Sequence, residues 1–406
     1  MQNSFILPSG SSGPLFPYFN LYLTQLKEQG YAAGSFYEQI YILRACDRWL
    51  KRNGHDVRDL DEAIAQDFLR RSITGGYGKN AGASTLRRLL AMLRRIGVTP
   101  EAKAARPRPS EQLTRAYERF LLKERNLATQ TVVHRRLIAR RFLSEKFGGS
   151  PLNLSKLRAP DVTGFVQRHA RDHGPFYARH LTTGMRLFLR YLHYKGLTDT
   201  DLSLAVPAVA RWSLASLPKH LPAAQVRQIL RHCNRSTPLG RRNYAILLLL
   251  ARLGLRAGEV VRLNLEDIDW DNARISIYGK GGRWEQLPLP ADVARAIAQY
   301  LRRDRPRCAC RRVFIGHRAP IGGIHRAGAI ATVVRRALTK AGVESARKGA
   351  HLLRHSLATD MLRKGASLDE IGEVLRHRSP DTTAIYAKVD LNSLRTLALP
   401  WPGGAR

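Results

Sequence analysis

Arg274-Ile-Ser-Ile-Tyr278 alternates polar and apolar residues, Gly279-Lys-Gly-Gly282 follows with three glycines in four positions, and Arg283-Trp-Glu-Gln-Leu-Pro-Leu289 runs back. The alternation has the period of a strand and the glycines supply a turn, so a β-hairpin is expected. Helix patterns surround it. Gln225 to Cys233 and Arg242 to Leu253 repeat apolar residues every three or four positions, and the second is apolar nearly all round and therefore buried. Further helices open near Ala291, Gly328 and His351. Ser367 with Glu370 three residues on forms a capping box for a helix ending near Leu375. Ser379-Pro380 opens another, with Ser as cap and Pro in the first turn, and this helix carries Tyr386. From Leu221 onward the chain therefore reads as mixed α and β.

Upstream the pattern is helical throughout, and it repeats. Leu26-Lys-Glu-Gln-Gly-Tyr-Ala recurs as Leu122-Lys-Glu-Arg-Asn-Leu-Ala, with Ser35 and Thr131 at matching places beyond. Leu60 with Phe68 answers Leu157 with Phe165, and Leu86-Arg-Arg-Leu-Leu-Ala-Met-Leu, stopping at Gly97, answers Met185-Arg-Leu-Phe-Leu-Arg-Tyr-Leu, stopping at Gly196. Each copy predicts a bundle of about four helices. Prolines punctuate the chain from Thr99 to Pro109 and from Pro207 to Pro222. The expected fold is mainly α with a small β-sheet: two tandem helical-bundle units, residues 1–100 and 110–205, then a mixed α/β domain, residues 217–406.

Lys and Arg number 68 against 32 Asp and Glu in 406 residues, a formal net charge of +36. Such an excess is spread along helix faces and repels itself unless a polyanion compensates it, which points to nucleic acid. A membrane is excluded as the anionic partner. Met1 to Phe16 has no basic start before an apolar run, and Tyr244 to Leu255 is too short to span a bilayer and is interrupted by Arg252. Four cysteines, Cys46, Cys233, Cys308 and Cys310, make no disulfide framework, so the cytoplasm is the expected compartment. Cys308 and Cys310 with His317 and His325 fit no common zinc spacing, and no metal or cofactor is expected. Arg135, Arg136 and Arg140 on one helix, and Arg179, Arg186 and Arg190 on another, are candidates for phosphate contact.

Cleaving a phosphodiester without a metal requires a nucleophile, a clamp for a charged pentacoordinate phosphorus, and a proton donor for the departing oxygen. Arginine suits the clamp because its planar fork meets two phosphate oxygens and stays charged. In Leu253-Gly-Leu-Arg256-Ala-Gly-Glu259, Gly254 ends the buried helix and Arg256 starts the next, where Glu259 can accept from Arg256 or cap the helix. In His351-Leu-Leu-Arg354-His355 the i, i+3 spacing puts His351 and Arg354 on one face and leaves Leu352 and Leu353 for the core. His377 follows a helix end, Tyr386 comes nine residues later, and Lys280 stands at the hairpin tip, where glycines allow close approach to a ligand.

Taken in order, Arg256, Lys280, His351, Arg354, His377 and Tyr386 resemble the catalytic pattern of the tyrosine recombinases, or phage integrases. The resemblance covers Leu217 to Val389, and Ser110 to Ser203 looks like that family's core-binding domain, a SAM-like helical unit. It implies that Tyr386 attacks the scissile phosphate and leaves a 3′-phosphotyrosine and a free 5′-hydroxyl. Arg256 and Arg354 would neutralise the non-bridging oxygens and His377 would add a hydrogen bond. Lys280 would protonate the leaving oxygen, His351 would take the tyrosine proton, and Glu259 would support. The implied partner is a double-stranded recombination site, bound by a homotetramer, with related recombinase subunits as further partners. The implied work is integration, excision or transposition of a mobile element in a bacterial cytoplasm, on the nucleoid when bound. The tail from Leu391 to Arg406, with Trp401, would dock on a neighbouring protomer.

Two departures accompany the resemblance. Arg283-Trp284-Glu285 replaces the commoner Lys-x-Arg after the hairpin lysine, so Arg283 is the DNA-contact candidate there. The unit at residues 1–100 is additional, and binding outside the core site, contact with another subunit and autoinhibition all remain open for it. A type IB topoisomerase uses a similar catalytic set but does not assemble on paired sites. An inactive DNA-binding accessory protein would have no need of Tyr386 and Lys280 together.

Overall fold

Apolar residues at helical spacing bury one face of each helix in the first part of the chain: α1 (Phe19–Glu28), α2 (Ala33–Arg52), α3 (Glu62–Ser72) and α4 (Gly76–Arg95). Phe19, Tyr22, Leu43, Leu50, Phe68, Leu89 and Leu93 fill the core between them. A second set follows the same order, α5 (Pro109–Lys123), α6 (Thr129–Phe147), α7 (Ala159–Arg171) and α8 (Pro175–Tyr194). Its core is built on Tyr117, Phe142, Phe165, Met185 and Phe188, with the Tyr117 and Phe188 rings meeting edge to face at 5.0 Å. The computed structural model describes residues 13–72, 76–101, 107–148, 151–209, 218–279 and 282–389. The chain parts into two compact units, residues 1–101 with 214–406 in one and 102–213 in the other. Within the first unit the Gln29 carbonyl accepts from the Ile321 N–H at 2.8 Å. Gly30, at φ +76°, passes so close that a Cβ would collide with the Ile321 side chain.

The rest of that unit is α9 (Ala223–Arg231), α10 (Pro238–Arg252), α11 (Ala257–Arg262), strands β1 (Ile268–Asp269), β2 (Arg274–Tyr278) and β3 (Trp284–Pro288), then α12 (Ala291–Arg303), α13 (Ala327–Lys340), α14 (Ala350–Arg363), α15 (Leu368–Leu375) and a single turn, α16 (Pro380–Thr383). The expected hairpin is present, antiparallel, with Ile275 opposite Leu287 and Ile277 opposite Glu285. Its inward Ile275 and Ile277 are buried, as the alternation requires. A third strand, β1, pairs with the far edge of β2. Two residues are too few to show a period, which is why β1 is invisible in the sequence.

Helix α10 is the centre of the core. Ile246 to Leu250 are all buried because α12, α13 and α14 pack around it, and each such leucine contributes about 2 kcal/mol relative to exposure. Thr237 accepts the Gly240 N–H at 3.1 Å to start the helix, and Gly254, at φ +57°, stops it. The predicted capping box of α15 forms: Ser367 Oγ accepts the Glu370 N–H at 3.2 Å and Glu370 accepts the Ser367 N–H at 2.7 Å. The predicted helix carrying Tyr386 is corrected. Ser379 occupies the cap position but makes no cap bond, and after α16 the chain tightens to a 3₁₀ helix, Ala384–Val389, with Tyr386 in it. Thr382 and Thr383 are β-branched and lose rotamer freedom in an α-helix, and the Thr383 hydroxyl is engaged elsewhere.

Candidate active site

Glu259 organises the charged part of the site. Arg256 is the N-cap residue of α11, and both alternatives left open for Glu259 hold at once: Oε2 accepts the Arg256 N–H at 2.8 Å and Oε1 accepts from Arg256 Nη1 at 2.8 Å. Arg376 Nη2 donates to the same carboxylate at 3.0 Å. The Glu259 side chain is 1% exposed. Burial alone would raise its pKa, but the backbone bond from Arg256 and the charges of Arg376 and Arg256 outweigh it and hold the carboxyl below its ordinary range.

Arg354 lies on α14 with its fork directed at two helix ends, Nη1 donating to the Gly254 carbonyl and Nη2 to the Leu375 carbonyl. Carbonyls at helix C-termini have no partner within the helix and carry the negative end of the dipole, so a cation is well placed there. Burial, then repulsion by Arg256 and Arg376, lowers the Arg354 pKa to about 9, which keeps it cationic at neutral pH.

The nucleophile candidate sits in a different setting. Tyr386 is 1% exposed, and its hydroxyl lies 2.7 Å from His355 Nδ1. The His377 ring is parallel to the Tyr386 ring, with centroids 6.4 Å apart, and His377 Nδ1 is 2.8 Å from Thr383 Oγ1. Burial pushes Tyr386 up to about 12. Burial also pushes His355 and His377 down to about 4, helped by His351 and Arg354 for the first and by Arg354 and Arg256 for the second. His351 lies at the exposed rim of α14, where partial desolvation and then the Arg354 and Arg256 charges lower its pKa.

Arg256, His351, Arg354, His377 and Tyr386 thus fall into one electrostatically coupled corner. Lys280 lies outside the described residues, as does the tail from Leu391 to Arg406. The hairpin that carries Lys280 is tied to the corner near its turn, where Glu285 Oε2 on β3 lies 3.2 Å from Arg376 Nε, a close charge pair without an aligned hydrogen bond. A groove of about 990 Å³ lined by Arg283, Glu285, Arg376, His377 and Thr383 opens beside it. Sequence reasoning missed Arg376, Glu285, Thr383 and His355. Only His355 left a signal: it stands four residues after His351 and so shares its face.

The other arginine candidates divide. Arg135 Nη1 donates to the His180 carbonyl at 2.7 Å, Arg136 pairs with Glu118 at 3.0 Å, Arg186 Nη2 donates to the Val206 and Pro207 carbonyls at 3.0 Å each, and Arg190 Nε donates to Ser203 Oγ at 3.3 Å. These four bind within their own unit. Arg140, Arg179 and Arg283 are exposed. Among the described residues no helix is long and apolar enough to cross a membrane.

Comparison with known proteins gives the family and the fold. The Phage integrase family matches residues 219–392. The integrase/recombinase y4rA of Sinorhizobium fredii is 45% identical over 99% of this chain and 98% of its own length. The tyrosine recombinase XerD of Listeria innocua is 30% identical over 66% of this chain and 91% of its own. Among solved structures, XerH recombinase bound to a palindromic difH substrate superposes with a TM-score of 0.56 at 20% identity, over 71% of this chain and 84% of that one, a likeness of fold. The chain belongs to the phage integrase family of tyrosine recombinases.

Proposed function

We propose that this chain cuts and rejoins DNA at a specific double-stranded site through a 3′-phosphotyrosine on Tyr386, as required for integration, excision or transposition of a mobile element. The single observation that carries the assignment is one corner in which the charges of Arg256 and Arg354 act on His377 and that of Arg354 acts on the buried Tyr386, in a chain whose relatives are tyrosine recombinases. Arg256 and Arg354 neutralise the non-bridging oxygens, His377 donates a hydrogen bond there, and Lys280 protonates the departing 5′-oxygen. Glu259 holds Arg256 in place. The net charge of +36 supports DNA as the partner, and the XerH structure contains its difH substrate. Exchange on two paired sites calls for a homotetramer, and the reaction belongs in the bacterial cytoplasm.

We also read residues 1–100 as a duplicate of the core-binding unit at 110–205. The paired anchors support it: Leu60, Phe68, Leu157 and Phe165 are all buried, a 3₁₀ turn precedes α3 and another precedes α7, and Gly97 and Gly196 follow α4 and α8 at φ +73° and +67°. One anchor slips by a residue, since Leu26 is buried but Leu122 is exposed and Leu121 fills the core instead. The meeting of Gln29 and Gly30 with Ile321 favours a role through contact with the catalytic region. Arg140, Arg179 and Arg283 are the arginines we place on phosphate.

The test is a covalent trap. A pool of nicked duplexes with randomised cores is incubated with the protein without added metal, and denaturation-resistant adducts are recovered. Wild type is expected to give adducts and Tyr386→Phe none; equal adduct from both would overturn the assignment.

A further inference from the structure

Resemblance gives the tyrosine proton to His351, but the hydrogen bond at the Tyr386 hydroxyl is made by His355, one helical turn further along α14. We propose that His355 is a further catalytic residue, its Nδ1 orienting the Tyr386 hydroxyl for attack and accepting its proton. The inference rests on Tyr386 being the nucleophile.

The geometry meets the first demand on a general base, heavy-atom distance, since 2.7 Å is an ordinary O–H to N hydrogen bond. Protonation state meets the second. Burial, with His351 and Arg354 nearby, keeps His355 neutral, so one ring nitrogen is an acceptor. With Nδ1 accepting from the phenol, the ring carries its proton on Nε2, the tautomer this arrangement assigns. His351 is placed differently. Its ring is at the exposed rim, 6.4 Å from the His355 ring centre to centre, where the charges of Arg354, Arg256 and Arg347 act on it. That placement suits contact with the phosphate.

Burial disfavours both a free phenolate at Tyr386 and a free imidazolium at His355, so neither forms ahead of the attack. The proton therefore moves from Tyr386 Oη to His355 Nδ1 while the Oη–P bond forms and the P–O5′ bond breaks, the departing oxygen being protonated by the acid assigned to Lys280. Phosphate charge entering the site favours the imidazolium that results. In religation the 5′-hydroxyl attacks and gives its proton back to the group assigned to Lys280, the P–Oη bond breaks, and Oη takes its proton from His355.

The experiment compares His355→Leu, His355→Gln and His351→Gln on the DNA pool recovered by wild type, with adduct formation rate as readout. General base loss costs about 10²- to 10⁴-fold, so His355→Leu is expected to slow adduct formation by at least about a hundredfold. His355→Gln, which keeps an acceptor, orients the hydroxyl and should fall between. Replacing Tyr386 by 2,3-difluorotyrosine in the His355→Leu background acidifies the phenol and should recover most of the lost rate, which a packing role would not allow. A wild-type rate for His355→Leu, absence of fluorotyrosine recovery, or recovery confined to the His351 variant overturns the proposal. Should His355→Leu fail to fold, the intact chain answers instead: the ¹⁵N resonance of His355 Nδ1 must shift on Tyr386→Phe, and an unchanged resonance overturns it. Absence of adduct from wild type strikes the nucleophile assignment, whereas wild-type adduct with an unaffected His355→Leu strikes this inference alone.

Discussion

Around Glu259, guanidinium groups from α11 and the end of α15 are fixed by ion pairs and backbone bonds, with Arg354 held against two helix ends beside them. Around Tyr386, two imidazoles and a phenol are kept neutral by burial, with His355 hydrogen-bonded to the phenol and His377 to the Thr383 hydroxyl. The difference teaches how one corner can serve both states of a strand transfer. Phosphate charge is present before and after cleavage and calls for a rigid cationic frame. The nucleophile must give up a proton and regain it, which calls for neutral groups within hydrogen-bond reach.

Removing the charge at the centre of the rigid part should have the largest effect. Glu259→Gln keeps an acceptor for the Arg256 N–H but leaves Arg256, Arg354 and Arg376 with no buried counter-charge. Breaking a buried ion pair by loss of one partner costs about 3–5 kcal/mol, so urea unfolding should show a loss of that order and adduct formation should fall with it. A loss under about 1 kcal/mol would mean that Glu259 is not the organising charge.

Acid should separate the two parts. His355 and His377 have folded pKa values of about 4 against an ordinary 6.5. Between those values the unfolded chain binds more protons than the folded one, so stability is full above pH 6.5, falls as pH drops through the window, and levels off below about 4. Glu259 has the opposite assignment: its pKa is depressed, so its contribution is present above its ordinary 4.5 and is lost only below that. The neutral part therefore weakens first. A melting series from pH 8 to 4 should decline from pH 6.5 downward, and His355→Gln with His377→Gln should flatten that slope. His317 and His351 are shifted in the same direction and keep the slope from vanishing. A wild-type melting temperature constant from 6.5 to 4.5 contradicts the burial of these rings as neutral groups.

The sequence made the frame of this comparison readable and hid its joints. Glycine and proline punctuation located the stop at Gly254, period two located β2 and β3, and the capping box located α15. The order of residue types picked out Arg256, His351, Arg354, His377 and Tyr386. What a pattern cannot carry is distance. Spacing put His351 and His355 on one face but did not say which ring reaches Tyr386. A string of arginines did not reveal that Arg135, Arg136, Arg186 and Arg190 turn to partners in their own unit, because a guanidinium donates to a carbonyl or a carboxylate as readily as to a phosphate. The cap expected at Ser379 failed for a related reason: a residue type suited to a cap still needs an aligned N–H.

Arg376 is where backbone and charge oppose each other, so it gives the smallest net effect and the sharpest division of the two. It sits at φ +57°, a left-handed conformation favoured by glycine, at the end of α15 just before His377. Holding a non-glycine residue there costs about 1 kcal/mol, and the bond to Glu259 with the nearby charge of Glu285 offsets that cost. Arg376→Ala loses the pairings and keeps the strain, whereas Arg376→Gly loses the pairings and relieves it. Glu259 still has Arg256, so the expected loss is about 2 kcal/mol for Ala, below the full cost of an orphaned buried charge. For Gly it is about 1 kcal/mol, the gap being the left-handed penalty. Because the His377 N–H is anchored separately, on the Gly372 carbonyl at 2.9 Å, both variants should lower adduct formation alike while differing in urea midpoint. Equal midpoints would show that the backbone at Arg376 is not strained, and wild-type midpoints for both would show that the ion pair adds nothing to the rigid part of the site.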